Sequence, residues 1–203
     1  GAVIPTSAVT ITWGPGANVV KELEYQNNFN NTGWTDWSLN TSETFDHLDE
    51  GHYTIQVKSR YQDSHDEEAD PANASFEVNA ISGPAFRVSP LRQEVDLNGS
   101  FDIEIIAEEV ADIRYFECVI EYDSQYISYS SNQQGDVFQN ELFFVDDGTP
   151  GTITISAGEI SNSNGYTGTG SIIELSFLAN AVTNSSGTQI TITTESAYFD
   201  VDG

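Results

Sequence analysis

Ile113-Arg114-Tyr115-Phe116-Glu117-Cys118-Val119-Ile120-Glu121-Tyr122-Asp123 decides the fold class. From Tyr115 to Glu121 the residues alternate. Phe116, Cys118 and Ile120 point to one side, and Tyr115, Glu117, Val119 and Glu121 point to the other. Such a strand puts one side in a core and the other in water. The pattern repeats in both directions along the chain. Phe101, Ile103 and Ile105 alternate with Asp102 and Glu104. Ile153, Ile155 and Ala157 alternate with Thr152, Thr154 and Ser156, and Ile173, Leu175 and Phe177 alternate with Glu174 and Ser176. Nearer the start, Val9–Trp13, Tyr53–Val57 and Ala74–Val78 follow the same rule. No stretch of about 11 residues carries a 3.6-residue period. The chain is therefore expected to be all-β, with antiparallel sheets packed face to face.

Between Val78 and Phe86 the alternation stops at Asn79-Ala80-Ile81-Ser82-Gly83-Pro84, a loop composition ending in a Gly-Pro stop. A boundary there divides the chain into 1–82 and 83–203, read as two β-sandwiches in tandem.

Charge and composition exclude several functions. The 203 residues carry 32 Asp and Glu against 6 Lys and Arg, a formal charge of −26. That field repels phosphate backbones and anionic lipid, so neither nucleic acid nor a membrane is an expected partner. No apolar run approaches the roughly 18–20 residues of a membrane helix. A lone Cys118 rules out an internal disulfide and any CxxC zinc site, and its parity makes it a small core hydrophobe. Residues 83–203 contain no His and no Lys, the usual general base and Schiff-base residue. No nucleophile motif is present. We expect a non-catalytic, monomeric protein of a secreted or cell-surface setting.

In the first half, Leu48-Asp49-Glu50-Gly51-His52-Tyr53 reads as the corner leading into a sandwich strand, where a Tyr hydroxyl bonds back to the backbone. With Leu23-Glu24-Tyr25 and Trp34-Thr35-Asp36-Trp37-Ser38, residues 6–80 resemble the immunoglobulin-like modules of the fibronectin type III and Y_Y_Y type. Trp34 and Trp37 are either strand packing or a platform for sugar rings. Asp63, Asp66, Glu67 and Asp70 lie in a run with five carboxylates in eight residues. They are candidate calcium ligands or a solvated loop, and the run lacks the Gly and the spacing of an EF-hand.

The second half carries an ordered set of motifs. Phe86-Arg87-Val88-Ser89-Pro90 opens it, and the quoted strand runs through Tyr122-Asp123 into Tyr126-Ile127. Gly135-Asp136-Val137-Phe138, Pro150-Gly151-Thr152-Ile153 and Gly170-Ser171-Ile172-Ile173 follow in that order. This set, over residues 85–203, resembles the cohesin family. Ser124 stands where that family usually has Pro. The resemblance implies a nine-stranded jelly roll that binds dockerins, small calcium-loaded helical modules, through one flat sheet face. By position that face comprises Tyr115, Glu117, Val119 and Glu121 on one strand. Thr152, Thr154 and Ser156 lie on another, with Glu159 just beyond it. The alternatives are carbohydrate binding, through Trp34, Trp37, Tyr115 and Tyr126, or a spacer that binds nothing. Asp200-Val201-Asp202-Gly203 has the D-x-D-G form of a calcium-loop start.

Overall fold

The structure is a computed structural model that describes residues 1–17, 19, 21–138, 142–159 and 165–199, with the side chains of 194–199 left out. The Asp200–Gly203 ending lies outside these residues. The chain divides into two compact units, Gly1–Ile81 and Ser82–Gly203. The described elements are all strands.

The first unit has six strands: β1 Ala2–Ile4, β2 Val9–Thr12, β3 Leu23–Phe29, β4 Ser42–Phe45, β5 Gly51–Tyr61 and β6 Ala72–Val78. One sheet runs in the order β1-β6-β5-β3, with β1 parallel to β6, and β2 pairs with β4 in a second sheet. Ring stacking joins the two. Phe29 of β3 lies 4.0 Å from Phe45 of β4 and 5.6 Å from Tyr53 of β5, centroid to centroid. Leu48, Phe76 and Val78 are buried beside them. At the corner before β5, Gly51 takes a φ of 137°, which side chains oppose. The Tyr53 hydroxyl donates to the Asp49 carbonyl at 3.0 Å, the bond expected of that corner.

The second unit contains β7 Ala85–Ser89, β8 Ser100–Tyr122, β9 Ile127–Gln134, β10 Leu142–Thr149, β11 Thr152–Gly158, β12 Tyr166–Ala179 and β13 Ile190–Phe199. Its architecture follows from β8, which is 23 residues long. Extended, a strand of that length spans roughly 75 Å. Yet Phe101 and Tyr122, near its two ends, lie 5.6 and 5.3 Å from the same Phe177 ring. The strand therefore doubles back. The reversal falls where Glu109 and Asp112 take φ values of 48° and 53°. The first half of β8 pairs with β7 and β12, and the second half with β11 and β13. Adding β9 beside β12 and β10 beside β11 completes two layers.

The alternation read from the sequence sends one side of β8, β11 and β12 between these layers. Ile105, Phe116, Ile120, Ile153, Ile155, Ile173, Leu175 and Phe177 are fully buried, and Cys118 lies among them. Each large side chain contributes about 1.5–3 kcal/mol by leaving water. Val137 and Phe138 add to this core from the turn after β9. Gly135 lets that turn close, because a Cβ there would sit 2.0 Å from the Ser171 carbonyl oxygen.

The bend in β8 needs partners for backbone groups that leave the ladder. Thr167 and Thr169 of β12 supply them. Their hydroxyl oxygens accept from the backbone N–H of Asp112 and Glu109, each at 3.0 Å. Thr169 in turn donates to buried Glu108 at 2.8 Å, and Arg87 Nε donates to the other Glu108 oxygen at 2.9 Å. After β8, Asp123 Oδ1 accepts from the backbone N–H of Gln125 at 2.9 Å. This side-chain turn does locally what a Pro at 124 would do through ring rigidity.

Candidate docking face

The outward residues of β8 and β11 meet in register. Thr152 lies opposite Glu121, Thr154 opposite Val119, Ser156 opposite Glu117 and Gly158 opposite Tyr115. Their neighbours Phe116, Cys118, Ile120, Ile153, Ile155 and Ala157 are all in the core. The strands are half-buried, so seven of the sequence-named residues share one open face. Glu159, the eighth, lies just past the end of β11, where its N–H still donates to the Arg114 carbonyl at 2.9 Å. One Glu159 carboxylate oxygen is buried and has no hydrogen-bond partner among the described residues.

Glu117 organises one end of the face. The Tyr115 hydroxyl donates to Glu117 Oε2 at 2.8 Å, and Ser156 Oγ donates to the same oxygen at 3.1 Å. Two hydroxyls on two strands thus hold one carboxylate in place. Its other oxygen, together with Glu121, is left to the surface. From Tyr115 onward the sequence has no Lys or Arg, so the face is acidic.

β10 extends the face beyond what the sequence reading named. Phe144 lies opposite Ser156 and Asp146 opposite Thr154, so both share the outward side. Phe144 is 64% exposed. Its neighbours Phe143 and Val145 pack on the core. The run Leu142-Phe143-Phe144-Val145 is apolar on both sides, so alternation alone assigns it no inward side. On the other flank, Thr191 of β13 lies opposite Glu121.

The remaining candidates are not brought together. Tyr126 packs against the core of the second unit, away from Tyr115. In the first unit, Lys58 Nζ lies 4.6 Å above the Trp34 ring, and the Arg60 guanidinium lies 4.4 Å above Trp37. Arg60 also pairs with Glu24 at 2.8 Å.

The carboxylates Asp63, Asp66, Glu67 and Asp70 do not converge. Among the described residues no three His, Cys, Asp or Glu side chains come together as a cation would require. Asp63 instead pairs with Lys21 at 3.0 Å, and that hydrogen bond holds its carboxyl below the usual range. Asp66 accepts from Ser64 at 2.8 Å.

Among solved structures, the sixth cohesin of scaffoldin B from Acetivibrio cellulolyticus, in complex with a Cel5 dockerin variant, superposes with a TM-score of 0.51. The pair is 16% identical, and the match covers 58% of this chain and 87% of that one. A non-cellulosomal cohesin from the archaeon Archaeoglobus fulgidus matches at 19% identity and a TM-score of 0.45, over 52% of this chain and 71% of that one. A cohesin from a type I cohesin–dockerin complex of Clostridium thermocellum, Coh-OlpA with Doc918, matches at 18% identity and a TM-score of 0.45, over 51% and 78%. The first of these shares the fold. Comparison with curated proteins gives no match. The cohesin domain matches residues 92–203, more than half of the sequence and all but the first strand of the doubled-back sandwich, and the chain belongs to that family.

Proposed function

We propose that the face built by β10, β11, the second half of β8 and β13 docks a dockerin-type module of a partner protein. The observation that carries this is the register of β8 on β11. It places Tyr115, Val119 and Glu117 beside Ser156 and Thr154, with Phe144 next to them. An aromatic and an aliphatic anchor surrounded by hydroxyls and carboxylates is the composition of a protein interface: a small apolar centre and a polar rim. The face is acidic. Its partner therefore presents one apolar side chain over Val119 and another over Phe144, and Lys, Arg or hydroxyl donors over Glu117 and Glu121.

In the same reading the first unit is an immunoglobulin-like module of the fibronectin type III kind. The β1-β6-β5-β3 sheet facing β2-β4 and the Tyr53 corner support that. The Gly83-Pro84 step marks the module boundary, and the whole belongs to a secreted or surface-displayed multimodular protein with no catalytic role of its own. Titrating the 203-residue chain with calcium-loaded dockerin modules by calorimetry tests the docking reading. Saturable binding that is lost in Val119→Asp is expected, and failure to bind any dockerin refutes it.

A further inference from the structure

The outer face of the first unit's larger sheet departs from the rest of this acidic chain. Residues on β3, β5 and β6 that point away from the core include Asn28, Gln56 and Asn73, which stand side by side in register. Asn28 Nδ2 donates to Gln56 at 3.4 Å, and Gln56 Nε2 donates to Asn73 at 3.1 Å. These amides form a ladder across three strands, and each retains unused donor or acceptor capacity. Beside the ladder lie Trp34 and Lys58, whose ammonium sits 4.6 Å over one face of the Trp34 ring. Among the described residues Lys58 makes no ion pair, although the chain holds 32 carboxylates. Trp34 is 37% exposed.

The Trp34 platform is fixed in advance. Gly33 N–H donates to Asn28 Oδ1 at 3.0 Å, and Thr35 N–H donates to the Asn27 carbonyl at 2.9 Å. The segment carrying Trp34 is thus tied to the edge of β3. A large apolar ring held rigidly at the surface costs little further entropy when a ligand settles on it.

We propose that this face binds an uncharged polysaccharide. The face of the Trp34 ring that Lys58 does not cover takes the C–H face of a sugar, and the amide ladder exchanges hydrogen bonds with hydroxyls along the chain. Charge selects the ligand class. The centre of the face is amide and ammonium, so it does not repel a hydroxyl-rich chain, whereas the −26 field around it disfavours a polyanion. The proposal concerns a face of the first unit and does not depend on the docking face.

Native gels containing hydroxyethylcellulose, galactomannan or arabinoxylan, with polygalacturonate as the anionic arm, test it on the full 203-residue chain. Retardation by at least one neutral polymer is expected. In Trp34→Ala the retardation falls at least tenfold, with the circular dichroism spectrum unchanged. Gln56→Ala, which leaves the ring in place, weakens it several-fold. Three results would overturn the proposal: no retardation by any neutral polymer, retardation equal in wild type and Trp34→Ala, or retardation by polygalacturonate alone. Phe144→Ala leaves the retardation unchanged, so failure here and failure of docking are separable.

Discussion

Ser156 on β11 donates its hydroxyl to the Glu117 carboxylate on β8 at 3.1 Å, across a register that sets the two residues directly opposite each other. The bond ties the two central strands of the docking face and, with the Tyr115 hydroxyl on the same oxygen, fixes where the carboxylate points. Because the pair is exposed, it contributes little to folding. Glu117→Ala is expected to change stability by less than about 1 kcal/mol and to weaken dockerin binding about tenfold or more. Urea unfolding and calorimetry on the same variant separate the two effects.

Phe144 provides the contrast between binding and folding. Its ring is largely in water, whereas Phe177 is fully buried. Phe144→Ala is expected to leave the urea midpoint where it is and to raise the dockerin Kd by a factor of ten or more. Phe177→Ala is expected to cost about 3–5 kcal/mol of stability. Parallel denaturation and binding curves check both.

The bend in β8 depends on Glu108. Its carboxylate is shared by Arg87 and Thr169, and the Arg87 and Glu108 side chains are only 12% and 11% exposed. Removing one member leaves the other charge buried without its partner. Glu108→Ala is therefore expected to destabilise the second unit by about 3 kcal/mol. Chemical denaturation followed by a fluorescence probe in that unit measures it.

Tyr53 makes the alkaline limb of stability readable. Burial, and then the Asp49 charge beside it, push its phenol above the ordinary 10.0. The folded state thus holds the proton more tightly than the unfolded chain does. The stability this adds is complete below pH 10 and is lost as pH rises through the raised value. Tyr53→Phe also loses the bond to the Asp49 carbonyl, which costs roughly 0.5–1.5 kcal/mol near neutral pH. The variant's stability is expected to fall less steeply above pH 10 than that of the wild type. Tyr25 and Tyr166 are shifted in the same direction by burial and keep part of the slope. Thermal melts at stepped alkaline pH show the difference.

Much of the fold was legible because half-buried strands leave a period of two in their residues. Tyr115 to Glu121 and Thr152 to Ala157 each assign an inside and an outside, and the structure keeps both assignments. Three features were not legible, each for a physical reason. The segments 100–105 and 113–122 read as separate strands, because Glu108–Asp112 has no alternation. The reversal there rests on two positive φ angles and on hydroxyls from β12, which are distant in sequence. Phe144 carries no outward signal in the sequence because Leu142–Val145 is apolar on both faces, and only pairing with β11 shows which side is wet. The acidic run at Asp63–Asp70 was open to either reading, because carboxylate count says nothing about convergence. Asp63 pairs with Lys21, 42 residues away, a partner that the local sequence does not announce.

The excess of carboxylates on the docking face implies a kinetic signature. A partner with basic residues over Glu117 and Glu121 is steered in at low ionic strength, and its association rate is expected to fall by about an order of magnitude as salt rises. Dissociation is expected to change far less. Stopped-flow association across a salt series measures both.

Docking of a dockerin through the β10-β11-β8-β13 face is tested by a calorimetric titration of the 203-residue chain, as wild type, Phe144→Ala and Val119→Asp, with a calcium-loaded dockerin. One-to-one saturable binding by wild type is expected, with at least tenfold weaker binding by Phe144→Ala and none by Val119→Asp, all three chains being equally folded. Equal binding by all three, or none by wild type with any dockerin offered, would contradict it.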